Sequence, residues 1–525
     1  MIRSILTVSL GTLASRLLGF ARDSMIAALL GTGAVADAFL VAFQLVNVAR
    51  RLLSEGALNA ALVPTWLRLR DTEGALAASG FAGRVLGTIS AAMIAVAALL
   101  GLAMPFVITV LAPGFAGHET LQIAVDDARL MLPYLAFAGP VTVMLALASA
   151  QSRFALTAFS PVLFNIALIA VMIALILMPR DAGFAALVLA ATIGLAGLLQ
   201  LLILIARRRG DAVAAPLRVS LDPEMRRFLG RALPGMAASA APQLLIVAGA
   251  VIASASPSAV SWLYFANRLI ELPLGMVGVA MGTVLIPELT RSLRGGDKDV
   301  IAHAESRALE LAIGLALPAT LGLIVLSEPI VRLLFEHGAF TAADTAATAQ
   351  ALVWLALGLP AQVLAKALSP AFFAREDTLA PLWATLKAVV VAIVCAILLG
   401  HFFGAAGIAA GIALGAWSNA LSLIRQGAAS FGFSVDQAAR RRLPRIVAAA
   451  LIMGGALWLA TSVAAAPTHG IAQAVILLLL IAGGIAAYAL FLTLFAVTSW
   501  REAVNAIRQG RPRDLHTDLP TDLRA

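Results

Sequence analysis

Apolar runs of about twenty residues recur from one end of the chain to the other, and that repetition limits the fold more than any single motif does. A window of about nineteen residues finds them near 5–29, 37–66, 82–111, 128–150, 156–178, 183–206, 229–254, 259–290, 308–328, 346–372, 380–402, 405–426, 444–466 and 471–498. In lipid a helix satisfies its own backbone hydrogen bonds, so each run reads as a crossing helix. Composition agrees: 61% of the 525 residues are hydrophobic and 12% are charged, against a charged share of about 25% in soluble domains. The expected fold is an all-α polytopic membrane protein of about 14 transmembrane helices, not a soluble enzyme with an anchor. The first run has no short apolar core ending in a cleavage site and is interrupted by Arg16, Arg22 and Asp23, so it reads as an uncleaved helix.

The connectors alternate in charge. One set holds WLRLRDTEG, QSRF, ARRRGD, TRSLRGGDKD, FFAREDT, ARRRLPR and the arginine-rich tail; the other holds GTGAVADA, APGFAGHET, MPRDAG, SASPSA, LFEHGAFTAADT, GHFFGAAG and AAPTHG, with almost no basic residue. Arginine and lysine are retained on the cytoplasmic side, so both termini are expected there, which requires an even number of spans. The net charge of +9 is thereby read as topology and not as a nucleic-acid footprint.

Proline and arginine punctuation repeats. ALVPTWLRLR recurs as VLIPELTRSLR, with Pro64 and Pro287 223 positions apart. Pro140 and Pro360 are 220 apart, and the Arg153 to Pro161 pattern returns as Arg375 to Pro381. Alanine- and leucine-rich filler also yields chance matches. Taken as a repeat, the pattern gives a six-helix lobe over 1–210, a second over 211–435, two additional helices over 436–498 and a cytoplasmic tail over 499–525. Six spans return the chain to its starting side, so such lobes are parallel repeats, and transporters built from repeats hold substrate between them.

The residues that a bilayer rejects carry the chemistry. Arg16 lies near mid-depth of the first run, where an arginine costs about 2.5–3.5 kcal/mol on insertion scales. Arg22 and Asp23 follow, and they either compensate one another locally or face a cavity. In the second run Asn47, Arg50 and Ser54 share one helical face, while Arg51 and Glu55, four apart, are placed to neutralise each other. Arg50 has no acidic partner at helical spacing. Asp37 opens that run, where it serves either as a helix cap or as a gating group. In the eighth run Arg268, Glu271, Gly275, Gly278 and Gly282 form a polar and small stripe beside Pro273; it is either a packing face with a buried ion pair or a cavity wall. Arg16, Arg22, Arg50 and Arg268 are expected to line one hydrated cationic cavity, since guanidinium forks match phosphate oxygens. Asp37, Asn47, Glu55 and Glu271 support it.

Other chemistries find no support. Neither GxxxxGK[ST], HExxH nor GxSxG occurs, the six histidines are scattered, and the single Cys395 sits in an apolar run, so no enzymatic reaction, metal or cofactor is expected.

The segments SRLLGFARD (15–23), DAFLVAF (37–43), NVARRLLSEGALNAALVP (47–64), FSPVLFNIAL (159–168), YFANRLIELPLGMVGVAMGTVLIPELT (264–290), LLFEHGAFTAADT (333–345) and FFAREDTLAP (372–381) together resemble the MurJ (MviN) lipid II flippases. These form a branch of the multidrug, oligosaccharidyl-lipid and polysaccharide exporter superfamily. The resemblance implies a fourteen-helix, two-lobed transporter of the bacterial inner membrane. Its implied substrate is lipid II, an undecaprenyl diphosphate carrying a disaccharide-pentapeptide. It further implies cavity roles for Arg16, Arg22, Arg50 and Arg268, with Asp37, Glu55 and Glu271 beside them, and a groove for the lipid tail on the last two helices. Asn267 departs from the pattern, standing where an aspartate is common. Alternating access, coupled to the membrane potential or to a monovalent ion, is the expected mechanism, with membrane lipids and cell-wall synthesis proteins as further partners. A cation-coupled multidrug or polysaccharide-lipid exporter and a non-transporting cell-wall scaffold are the competing readings.

Overall fold

A 53-residue helix, Leu379–Phe431, shows how this chain packs. At 1.5 Å per residue a straight helix of that length would reach about 80 Å, far beyond a hydrocarbon core of about 30 Å. It turns instead at Gly404, whose φ of 55° and ψ of −136° suit a residue without a Cβ. Its two arms then run side by side. Gly407, Gly411 and Gly415 face Leu399, Ala396 and Ala392, so closely that a Cβ on Gly411 would lie 2.4 Å from the Ala396 nitrogen. Small residues every fourth position let helix backbones meet, and in lipid such contact replaces the hydrophobic drive available in water.

The computed structural model describes residues 2–54, 57–151, 153–178, 180–206, 214, 216–280, 298–373, 375, 377–433, 435–463 and 470–497. They form α1 (Ile2–Leu30), α2 (Ala34–Ser54), α3 (Ala57–Thr72), α4 (Ala75–Leu111), α5 (Glu119–Ala150), α6 (Phe154–Leu177), α7 (Ala182–Ala206) and α8 (Pro223–Ala253). There follow α9 (Ala259–Ala280), α10 (Lys298–Val325), the short α11 (Ser327–Phe335), α12 (Ala342–Phe373), the hairpin helix α13 (Leu379–Phe431), α14 (Gln437–Val463) and α15 (Ile471–Leu494). No strand occurs among the described residues. Glu55, the stretch 281–297 with Gly282 and Pro287, and the tail from 498 onward lie outside them.

Nine helices among the described residues are long and apolar enough to cross a membrane: α4 to α7, α10 and α12 to α15. Of the other long helices, α1, α2 and α9 are those in which charge was expected, and α1 carries Arg16, Arg22 and Asp23 in its second half. Pro140 and Pro360 fall inside α5 and α12, and Pro161 and Pro381 fall within the first eight residues of α6 and α13.

Helices α1, α2 and α4 to α7 pack together, and α9, α10, α12, α13 and α14 pack together. The two groups meet at both ends of the molecule. At the end with the sparsely charged loops, the Ala339 N–H donates to the Ala28 carbonyl at 2.8 Å, Thr32 donates to Asp344 at 2.6 Å and the Gly114 N–H donates to the Ser254 hydroxyl at 3.0 Å. Phe20, Phe265, Phe335 and Phe340 stack beneath this seam, with α11 bringing Phe335 between α1 and α9. At the basic end α8 begins against the first group: Phe81 meets Phe228 edge-on at 5.9 Å, and Arg84 bonds both Asp222 and Glu224. Further along, α8 leans on α13 at Gly249 and Ile412. The middle of the molecule, between the two seams, stays open.

Candidate functional site

That opening is a cavity of about 1280 Å³, bounded by α1, α2, α8, α9, α12 and α13. A second space of about 670 Å³ extends from it toward α5 and α6, and Arg16, Arg50, Arg51, Arg268 and Glu271 line both. The large cavity is lined by five cations, Arg16, Arg50, Arg51, Arg268 and Lys366, against one carboxylate, Glu271. At low dielectric such an excess attracts anions strongly.

Of the four arginines expected in one chamber, all four border the smaller space, from α1, α2 and α9. Their situations differ. Arg22 is buried, its Nε and Nη2 donate to Asp23 Oδ1 at 2.9 and 2.6 Å, and its Nη1 donates to Asn165 at 3.1 Å. The rings of Phe43 and Phe164 lie 5.0 and 5.8 Å from its guanidinium, a cation–π arrangement that helps an arginine leave water. Arg268 crosses between the groups: its Nε lies 2.6 Å from Asp23 Oδ2 and its Nη1 donates to Glu271 at 2.8 Å. Glu271 in turn accepts from Arg51 Nη2 at 3.1 Å. A chain of alternating charge, Arg22–Asp23–Arg268–Glu271–Arg51, thus joins α1, α9 and α2. Arg16 reaches α9 differently, its guanidinium lying over Gly275, where a Cβ would come within 2.2 Å of Nη1. Arg50 meets Asn47 at 3.5 Å, three positions back on its own helix.

The structure gives several of these residues partners that lie far off in the sequence. Arg51 was expected to pair with Glu55, four residues on; Glu55 lies outside the described residues, and Arg51 bonds Glu271 on α9. Local spacing could not reveal a partner 220 positions away. Arg22 and Asp23 do compensate one another, and the same carboxylate also holds Arg268. Asp37 acts as a cap, but for another helix: it is buried on α2 and accepts from the Ser261 N–H at 2.9 Å and from the Ser261 hydroxyl, in the first turn of α9. A carboxylate at a helix N-terminus satisfies an orphan donor and suits the helix dipole. Asn165, Tyr264 and Lys366 were not singled out. Tyr264 donates to Asp23 at 3.4 Å, and Lys366 is the one lysine of the apolar run 346–372.

A multi-pass helical membrane protein in which two helix groups enclose a cationic chamber has the architecture of a membrane transporter. The comparisons narrow this. The sequence model of the family described as "Lipid II flippase MurJ" matches residues 26–479. A "Probable lipid II flippase MurJ" of Rhizobium meliloti (strain 1021) is 38% identical over 495 residues, covering 93% of this chain and 92% of its own. The "Lipid II flippase MurJ" of Burkholderia cenocepacia is 33% identical over 388 residues, covering 72% and 74%. The chain belongs to the lipid II flippase MurJ family. In fold it is similar to a solved "Lipid II flippase MurJ, inward closed conformation", with a TM-score of 0.77 at 23% identity over 95% of this chain and 100% of that one. An inward-facing MATE family transporter of the MOP superfamily follows at 0.68 and 15% identity, covering 84% and 98%.

Proposed function

We propose that the protein flips lipid II from the cytoplasmic to the periplasmic leaflet of the bacterial inner membrane by alternating access, and that the arginine chamber binds its diphosphate. The observation that carries this reading is the lining of five cations against one carboxylate. A multidrug exporter for cationic compounds would need the opposite sign. Arg16, Arg50 and Arg268 take the diphosphate oxygens, and Arg22 joins them from the smaller space. Asp37, Asn47, Glu55 and Glu271 position and gate this set. The polyprenyl tail stays in lipid along α14 and α15, so only the headgroup passes through the chamber.

In this reading the chain crosses the membrane fourteen times with both termini in the cytoplasm. The lobes comprise 1–210 and 211–435, followed by the two helices of 436–498 and the tail. Rocking of the lobes exposes the headgroup first to one side and then to the other. A negative-inside potential favours outward movement of an anion by about 2.3 kcal/mol per charge per 100 mV, so the potential, or a monovalent ion, drives export in this reading without a cofactor. Depletion in cells, followed by measurement of lipid II in each leaflet, tests the proposal: accumulation in the cytoplasmic leaflet is expected, and an unchanged distribution overturns it.

A further inference from the structure

Helix α12 is among the most buried in the protein, with Ala361, Val363, Leu364, Ala367 and Leu368 all in the core. Against that background Gln362, Lys366 and Ser369 follow the i, i+4, i+7 spacing of one helical face, and all three line the large cavity. Asn419, on the second arm of α13, lines the same wall, and its Oδ1 is shielded from solvent with no hydrogen-bond partner among the described residues. A shielded amide oxygen left without a donor is costly, and it is an acceptor waiting for an N–H. The wall therefore offers a point cation, two amides and a hydroxyl, whereas the α1, α2 and α9 wall offers guanidinium forks. The two walls suit different anions. Forks match the paired oxygens of a phosphate, while an ammonium on a flexible stem suits a single carboxylate, and amides suit a peptide backbone.

The geometry points to a second subsite on α12 and α13, in which Lys366 takes a carboxylate of the headgroup peptide while Gln362 and Asn419 bind its amides. The inference rests on the proposed flipping of lipid II and names the part of the headgroup that this wall reads. The subsite makes the chamber selective for a peptide-bearing lipid over a bare lipid diphosphate.

Binding of three lipids to the purified full-length protein in detergent tests it: lipid II, lipid II with its peptide carboxylates amidated, and undecaprenyl diphosphate. The wild-type protein is expected to bind the amidated lipid about fivefold more weakly than lipid II. Lys366→Gln is expected to weaken lipid II by a similar factor, to leave undecaprenyl diphosphate within about twofold, and to bind the amidated and native lipids alike. Lys366→Arg restores the preference, and Asn419→Asp, which repels a carboxylate, lowers it. Equal wild-type affinity for amidated and native lipid II overturns the subsite without recourse to any variant. So does a Lys366→Gln variant that loses both lipids equally or neither. Wild-type protein that binds no lipid II at all overturns the functional reading and this inference with it.

Discussion

Asp23 is the carboxylate whose loss most directly tests how the two helix groups are held together. It is fully buried, Arg22 bonds one of its oxygens twice, and Arg268 Nε stands 2.6 Å from the other. Asp23→Asn keeps the shape and removes the charge. Breaking a buried pair by removing one partner costs about 3–5 kcal/mol, because the remaining ion is left uncompensated. Here Arg268 keeps Glu271 and Arg22 keeps Asn165, so the lower end, about 3 kcal/mol, is expected. Arg268→Ala removes the same bridge from the other side. The double variant therefore costs less than the sum, with a coupling energy of about 2 kcal/mol. Equilibrium denaturation of the four proteins in mixed micelles measures it. Costs that add to within about 0.5 kcal/mol would show that Asp23 and Arg268 act independently and would refute the bridge.

Three further outcomes follow from other contacts. Gly411→Val pushes the arms of α13 apart, because even a Cβ would lie 2.4 Å from the Ala396 nitrogen; its folded yield in membranes should collapse, whereas Gly455→Val, with nothing within 4 Å, should accumulate normally. Asp37→Ala strands the Ser261 N–H and hydroxyl and should cost about 1–3 kcal/mol in the same denaturation assay, with Asp37→Asn costing less because it retains an acceptor. Asp222 caps α8 at the basic end, and the Met225 N–H, with the Ser220 hydroxyl and the Arg84 guanidinium, outweighs desolvation and holds its carboxyl below the usual range. A lowered carboxylate contributes stability that is complete above its unfolded pKa and is lost as pH falls through the folded value. Asp222→Ala should therefore cost about 1 kcal/mol at neutral pH and progressively less in acid; a difference that does not change with pH would contradict the cap.

What the sequence reveals and what it hides follow from interaction range. The turn of α13 is legible because GHFFGAAG interrupts two apolar runs, and Gly404 falls between their expected ends at 402 and 405. The cluster of charged residues is legible because a bilayer rejects them one by one. Their partners are not, since Asp23 with Arg268 and Arg51 with Glu271 are brought together by tertiary packing alone. Helix α11 escaped notice for a different reason. At nine residues it is shorter than any window suited to spans, yet its buried Val331 and Phe335 anchor one seam. Lys366 was hidden by its run, which is apolar enough to read as an ordinary span.

The chamber's arginines fall into two sets, and the sets predict different defects. Arg22, Arg51 and Arg268 are bonded to Asp23 or Glu271, whereas Arg16 and Arg50 bond no carboxylate among the described residues. An anion entering the chamber therefore meets Arg16 and Arg50 at once but must compete with Asp23 and Glu271 for Arg268. Arg16→Ala and Arg50→Ala should each remove a charge-assisted contact of about 1.5–3 kcal/mol, a loss of about tenfold to a hundredfold in lipid II affinity. Their stability should change by no more than about 0.5 kcal/mol. Arg268→Ala should lose both affinity and stability, because it removes the ion pair between α9 and α1. Since a ligand shifts a conformational equilibrium only through its differential affinity for the two states, an anion that draws Arg268 away from Asp23 also loosens the joint between the helix groups. Binding and denaturation measured on the same three variants separate the sets; an Arg16→Ala protein as unstable as Arg268→Ala, or one that binds lipid II as wild type does, would refute the division.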